Sequence, residues 1–150
     1  MPAEATARPD ARKPELYSRD ILRLAASLPL NDRLAAADAS ATRRSPVCGS
    51  EISADVTVKN GLLTGVALRG RACALGQASA AVLRGAAIGW TTGNVAEARA
   101  ALALALAGEG GFDRCLPALA VFEGARAYPA RHPAILLPYD ALLAAMAETG

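Results

Sequence analysis

The sequence predicts an α+β fold: an N-terminal helix, a three-stranded antiparallel sheet, then several helices packed on one face. Three observations carry that prediction. Residues 51–59 alternate cleanly, with Ile52, Ala54, Val56 and Val58 on one face and Ser53, Asp55, Thr57 and Lys59 on the other, the period of a half-buried strand. Asn60-Gly61 follows as a hairpin signal, and Leu62, Thr64, Val66 and Leu68 supply the next alternating set. Ala, Leu and Val dominate at helical spacing elsewhere, and with only 4% aromatic residues the core must be built from small and aliphatic side chains, which favours closely packed helices.

The first helix covers residues 15–28, where Leu16, Ile21, Leu22, Leu24 and Ala25 share a face and Pro29 stops it. A further strand over residues 39–47 leads into the tight turn Pro46-Val47-Cys48-Gly49, which presents Cys48 at the end of the sheet. Parity selects the hairpin loop. A two-residue turn would pair Val58 with Leu63 and turn Val66 and Leu68 to the polar face, so a three-residue loop, residues 59–61, is expected, with Gly61 in the left-handed position. Residues 74–87 then form a helix starting immediately after Cys73, with Leu75, Ala78, Ser79, Val82 and Ala86 on one stripe. Asn94 caps another helix through residue 107, which the glycine-rich residues 108–111 terminate. Residues 116–122 make a short helical turn. The last helix runs from about residue 133 through residue 146, with Pro138 tolerable only near its start.

A chain of 150 residues that is 53% hydrophobic can bury a core without disulfides or structural metal, and one domain over residues 15–150 is expected. Residues 1–14, rich in Pro, Ala and charge, read as a disordered lead-in rather than a signal peptide, which places the protein in the cytosol. The net charge is only +2 and no Lys or Arg run is long enough to follow a phosphate backbone, so nucleic acid is not an expected partner. No apolar run approaches the roughly 20 residues that span a bilayer, so no membrane partner is expected.

Cys48, Cys73 and Cys115 are an odd number of widely spaced thiols, which a cytosolic setting keeps reduced. Cys48 lies in a Gly turn beside a strand and Cys73 at a helix N-terminus, where the macrodipole and free N–H groups favour the thiolate that binds metal or attacks sulfur. The competing reading of each is a small buried hydrophobe. No spacing of acids suggests a catalytic carboxylate pair, no hydrolase triad is visible, and the glycines at 61, 65 and 70 lie on a hairpin rather than in a phosphate loop, so an enzyme is not expected.

The words around these thiols resemble a known family. Ser45-Pro46-Val47-Cys48-Gly49 is similar to Asn-Pro-x-Cys-Gly-Asp, and Gly70-Arg71-Ala72-Cys73-Ala74-Leu75-Gly76-Gln77-Ala78-Ser79-Ala80 to Gly-x-Gly-Cys-x-x-x-x-Ala-Ser-Ala. Tyr128-Pro129-Ala130-Arg131-His132-Pro133-Ala134-Ile135-Leu136-Leu137-Pro138-Tyr139 resembles Phe-Pro-x-Arg-x-x-Cys-Ala-x-Leu-Pro-Trp. These are the words of the U-type scaffolds of iron-sulfur cluster assembly, the group of IscU, SufU and the N-terminal domain of NifU. The long stretch from Cys73 to Ala134 resembles the SufU branch more than the shorter IscU branch.

The resemblance implies a SufE/NifU-like fold, a bound iron-sulfur cluster or iron, with zinc as a further option, and sulfur received as persulfide. It implies a cysteine desulfurase and recipient apo iron-sulfur proteins as partners, and a monomer or homodimer. Its ligand set is three cysteines and one aspartate. Here Ser50 replaces the aspartate and Ala134 the third cysteine. The candidate ligands are therefore Cys48 and Cys73, with His132 and Ser50 as the remaining candidates near the site, although serine is a poor ligand. His132 reads either as an imidazole ligand or as a solvated loop histidine, Cys115 as a packing thiol or a relocated ligand, and Arg131 as a partner for cluster or persulfide charge or as a solvated side chain. Two readings follow: a working scaffold or sulfur acceptor, its thiolates shared between two chains if four are needed, or a member that docks a desulfurase as a regulator without assembling clusters.

Overall fold

The computed structural model describes residues 16–149; the expected lead-in over residues 1–14 lies outside the described residues. The described chain forms α1 (Arg19–Ser27), β1 (Ala39–Arg44), β2 (Glu51–Lys59), β3 (Leu62–Arg71), α2 (Ala74–Ala86), α3 (Thr92–Leu106) and α4 (His132–Ala147). Three 3-10 segments, Phe112–Arg114, Pro117–Ala127 and Pro129–Arg131, connect α3 to α4. The strands pair antiparallel in the order β1-β2-β3. Their inner face, with Ile52, Ala54, Val56, Val66 and Leu68, is buried in one core with the helices. This is the expected α+β architecture.

α4 is the centre of that core. Ile135, Leu137, Tyr139, Leu142, Ala145 and Met146 are buried on several sides of it, and it packs on β1, β2, α2 and α3, as a helix apolar all round must. Pro138 lies well inside it rather than near its start. Proline has no N–H, so the rung to the carbonyl of Ala134 is missing, and packing on all sides holds the helix together across the gap.

Two further expectations are corrected by local chemistry. Asn60 and Gly61 both have positive φ, 55° and 79°, and make the two-residue turn in which Lys59 pairs with Leu62 and Val58 with Leu63. Parity is restored one step later by a bulge: Thr57 pairs with Gly65, Thr64 is the extra residue, and Leu63, Val66 and Leu68 all face the core. Asn94 is not the cap of α3. Thr91 is, and the two exchange hydrogen bonds, Asn94 N–H to Thr91 Oγ1 at 3.0 Å and Thr91 N–H to Asn94 Oδ1 at 2.9 Å. α1 likewise begins later than residue 15, because the Ser18 hydroxyl accepts from the Ile21 N–H.

The outer face of the sheet is less open than its polar residues imply. Asp55 is only 4% exposed, accepts from Leu34 N–H and from the Ser40 hydroxyl, and pairs with Arg69 at 3.0 Å. Burial alone would raise its pKa, yet the Ser40 and Leu34 donors and the Arg69 guanidinium outweigh burial and hold the carboxyl below its ordinary value. Asp32 fastens the same loop by accepting from Arg84 and from Leu68 N–H.

Candidate functional site

Pairing of Glu51 with Arg71 at the end of the β2-β3 ladder brings the turn before β2 and the turn after β3 to one end of the sheet, and these turns carry Cys48 and Cys73. The first turn is closed by its own backbone: Ser45 N–H donates to Ser50 O and Gly49 N–H to Ser45 O, both at 2.8 Å. Gly49 has φ +75°, a conformation that glycine adopts without strain. Val47 beside it is 60% exposed, so the turn stands out from the surface.

Within that turn the Cys48 thiol donates to Ser50 Oγ at 3.1 Å. The Ser50 hydroxyl is the largest influence lowering the Cys48 pKa; burial opposes it, and Ser50 N–H, the Ser45 hydroxyl and the Arg131 charge reinforce it. Cys48 therefore ionises below an ordinary thiol. Ser45 and Ser50 are 2% and 5% exposed, and Ser45 Oγ makes no hydrogen bond of its own.

Cys73 is the N-cap of α2, with extended backbone (φ −66°, ψ 169°) and no capping hydrogen bond from its side chain. Its half-buried thiol stands at the positive end of a 13-residue helix. Gly76, in the first turn of α2, lets the third word approach: a Cβ there would lie 3.1 Å from Ala134 O and 3.0 Å from the Ala72 Cβ. Cys73 thus shares its helix turn with the neighbourhood of Ala134, while Arg131, from the same third word, acts electrostatically on Cys48. The three words converge.

The donors around them are fewer than a metal needs. Ala134 is fully buried and brings no ligand atom in its side chain. His132 opens α4 half-buried with Nε2 2.7 Å from the carbonyl of Ala125, so that nitrogen is engaged with backbone. Ser50 is engaged with Cys48. Among the described residues no group of three or more His, Cys, Asp or Glu side chains is placed to hold a metal ion. Cys115 lines a separate cavity of about 440 Å³ with Trp90, Glu97 and Arg114, and none of Cys48, Cys73 and His132 lines it. Burial, and then the Asp113 charge, push its thiol pKa up, as suits a packing thiol.

Sequence reasoning gave Ser45 no role beyond its place in the Cys48 word. A serine three residues before a turn cysteine is the usable signal, because the turn folds position 45 back on position 48.

No family model matches the chain and no curated protein does. Among solved structures, the N-terminal part of a nitrogen-fixing NifU-like protein from Brucella abortus superposes with a TM-score of 0.80 at 32% identity, over 89% of this chain and 94% of that one. The chain belongs to the NifU-like, U-type scaffold family. A protein from Fervidobacterium islandicum, described as a scaffold for iron-sulfur cluster assembly in the SUF system, shares the fold with a TM-score of 0.78 at 23% identity, covering 87% of this chain and 96% of that one.

Proposed function

We propose that this U-type family member serves iron-sulfur cluster assembly, with Cys48 receiving sulfur from a cysteine desulfurase and Cys48 and Cys73 holding iron or a cluster as cargo for recipient apo-proteins. The observation that carries this reading is the Cys48 thiol itself: its pKa is lowered, it sits in a protruding turn, and it shares the sheet end with a second thiol at a helix N-terminus. A reading within the SufU branch is supported by the long Cys73-to-Ala134 stretch and by the fold shared with the SUF-system scaffold from Fervidobacterium islandicum.

A resident zinc ion does not fit one chain. Tetrahedral zinc takes four ligands, or three and an exchangeable one, against two thiols, a serine hydroxyl and an imidazole already bonded to a carbonyl. A cluster does fit two chains, because two copies present four thiolates, and the reading therefore assigns cluster-loaded protein to a homodimer. The protein acts in this reading as a scaffold in the cytosol rather than as an enzyme.

Anaerobic reconstitution with iron and sulfide tests it. The expected product is a dimer with one cluster, lost in Cys48→Ser and in Cys73→Ser. Metal-free monomer after reconstitution refutes the cargo role.

The buried Ala134 and the engaged His132 favour a second reading, a docking regulator of the desulfurase that assembles nothing. Equal desulfurase stimulation by wild type and Cys48→Ser selects this second reading.

A further inference from the structure

Ser45 is 2% exposed and its hydroxyl has no partner at hydrogen-bond distance, although a buried polar atom without one is destabilising. Such an atom calls for an explanation, and use by another state of the protein is one. The turn is closed by Ser45 N–H to Ser50 O and Gly49 N–H to Ser45 O, with Cys48 inside it, and the Ser45 hydroxyl is near enough to the sulfur to help lower the Cys48 pKa. The second buried hydroxyl at the sulfur is that of Ser50, which accepts the thiol proton at 3.1 Å. With a thiol at position 48, Ser50 is bonded to the sulfur, while the Ser45 hydroxyl acts on it without a partner at hydrogen-bond distance.

We infer that Ser45 and Ser50 form a two-hydroxyl cradle that holds sulfane sulfur on Cys48 without metal. The inference rests on the reading of Cys48 as sulfur acceptor. In the step it serves, the Cys48 thiolate attacks the outer sulfur of a cysteine persulfide on the donor. A new S–S bond forms at Cys48, the donor's S–S bond breaks, and the donor cysteine leaves as thiolate, with no net oxidation or reduction. The proton of the donor's outer sulfur passes to the departing thiolate, and the resulting persulfide carries its negative charge on the outer sulfur and no proton on the inner one. Ser50, relieved of the thiol proton, turns its own O–H toward sulfur, and Ser45 gains the partner it lacks. Serine at position 50 is then suited to its place: a carboxylate there would accept but not donate, and would repel the anion. Ser45 and Ser50 are positioning residues in this scheme.

The full chain, treated with chelator, is exposed to glutathione persulfide, and sulfur on each cysteine is followed by mass spectrometry. Wild type is expected to load Cys48; Ser45→Ala and Ser50→Ala are each expected to load it roughly tenfold more slowly, the size of one hydrogen bond to a charged group, with Ser45→Thr restoring the rate. Alkylation of Cys73 is expected to stay unchanged in all of them. The thermal midpoint of reduced Ser45→Ala is expected to equal or exceed that of wild type, because an unsatisfied hydroxyl is removed; a merely structural serine would lower it. Wild-type loading by Ser45→Ala, or its unfolding, overturns the cradle while leaving Cys48 as acceptor. Equal sulfur uptake by Cys48→Ser overturns the acceptor reading itself.

Discussion

The Ser79 hydroxyl donates to the carbonyl oxygen of Ile135 at 2.6 Å, joining the helix that starts at Cys73 to the helix that carries Ala134. The bond reaches α4 three residues before Pro138, where the helix lacks a rung. Two of the three motif words are thereby held in register by a buried side chain. Ser79→Ala is expected to lower stability by about 1 kcal/mol in urea unfolding with an unchanged m-value, and to change thiol reactivity at Cys73 only slightly.

Tyr139 offers the opposite sign. It is fully buried, burial and then the charge of Cys115 push its pKa well up, and its hydroxyl has no partner. Tyr139→Phe removes the unsatisfied oxygen and keeps the ring, so it should raise stability by about 1 kcal/mol. A loss of stability on thermal melting would mean that the hydroxyl is satisfied.

Restoring the family's donors should create what one chain lacks. The double variant Ser50→Asp, Ala134→Cys supplies three thiolates and a carboxylate, and it is expected to bind zinc at one ion per chain in equilibrium dialysis, against less than one per chain for wild type. Ala134 is fully packed, so the added sulfur should also lower stability by roughly 1–3 kcal/mol in the metal-free form. If the double variant retains no more zinc than wild type, the donors do not converge.

The two thiols with displaced pKa values should separate in a pH profile. Ser50 chiefly lowers Cys48 and burial chiefly raises Cys115, so iodoacetamide should label Cys48 with a midpoint below the ordinary thiol value and Cys115 with one above it. The linked stability has a definite sign: Cys48, depressed in the folded state, adds stability that is present above its unfolded pKa of about 8.5 and lost as pH falls through the lower folded value. Cys48→Ser should remove that pH dependence. Ser50→Ala should move the Cys48 midpoint upward.

The lineage was legible because it lies in contiguous words. Ser45 to Gly49 and Gly70 to Ala80 are read without knowing what they touch, and the alternation of Ile52, Ala54 and Val56 declares a buried face to anyone counting by twos. The hairpin departs from the expected three-residue loop for an equally local reason. Counting by twos assumes an unbroken ladder, and the bulge at Thr64 lets a two-residue turn coexist with Val66 and Leu68 in the core.

What the sequence alone determined is therefore the fold class, from local spacing, and the resemblance that contiguous words around Cys48 and Cys73 carry. Only the tertiary structure decided the surroundings of those thiols: that His132 engages Nε2 with Ala125, that Ala134 is sealed against the first turn of α2, and that the buried Ser45 hydroxyl has no partner at hydrogen-bond distance. The physical reason is that hydrogen-bond satisfaction is an account kept between segments distant in sequence, and it balances only when the chain has folded.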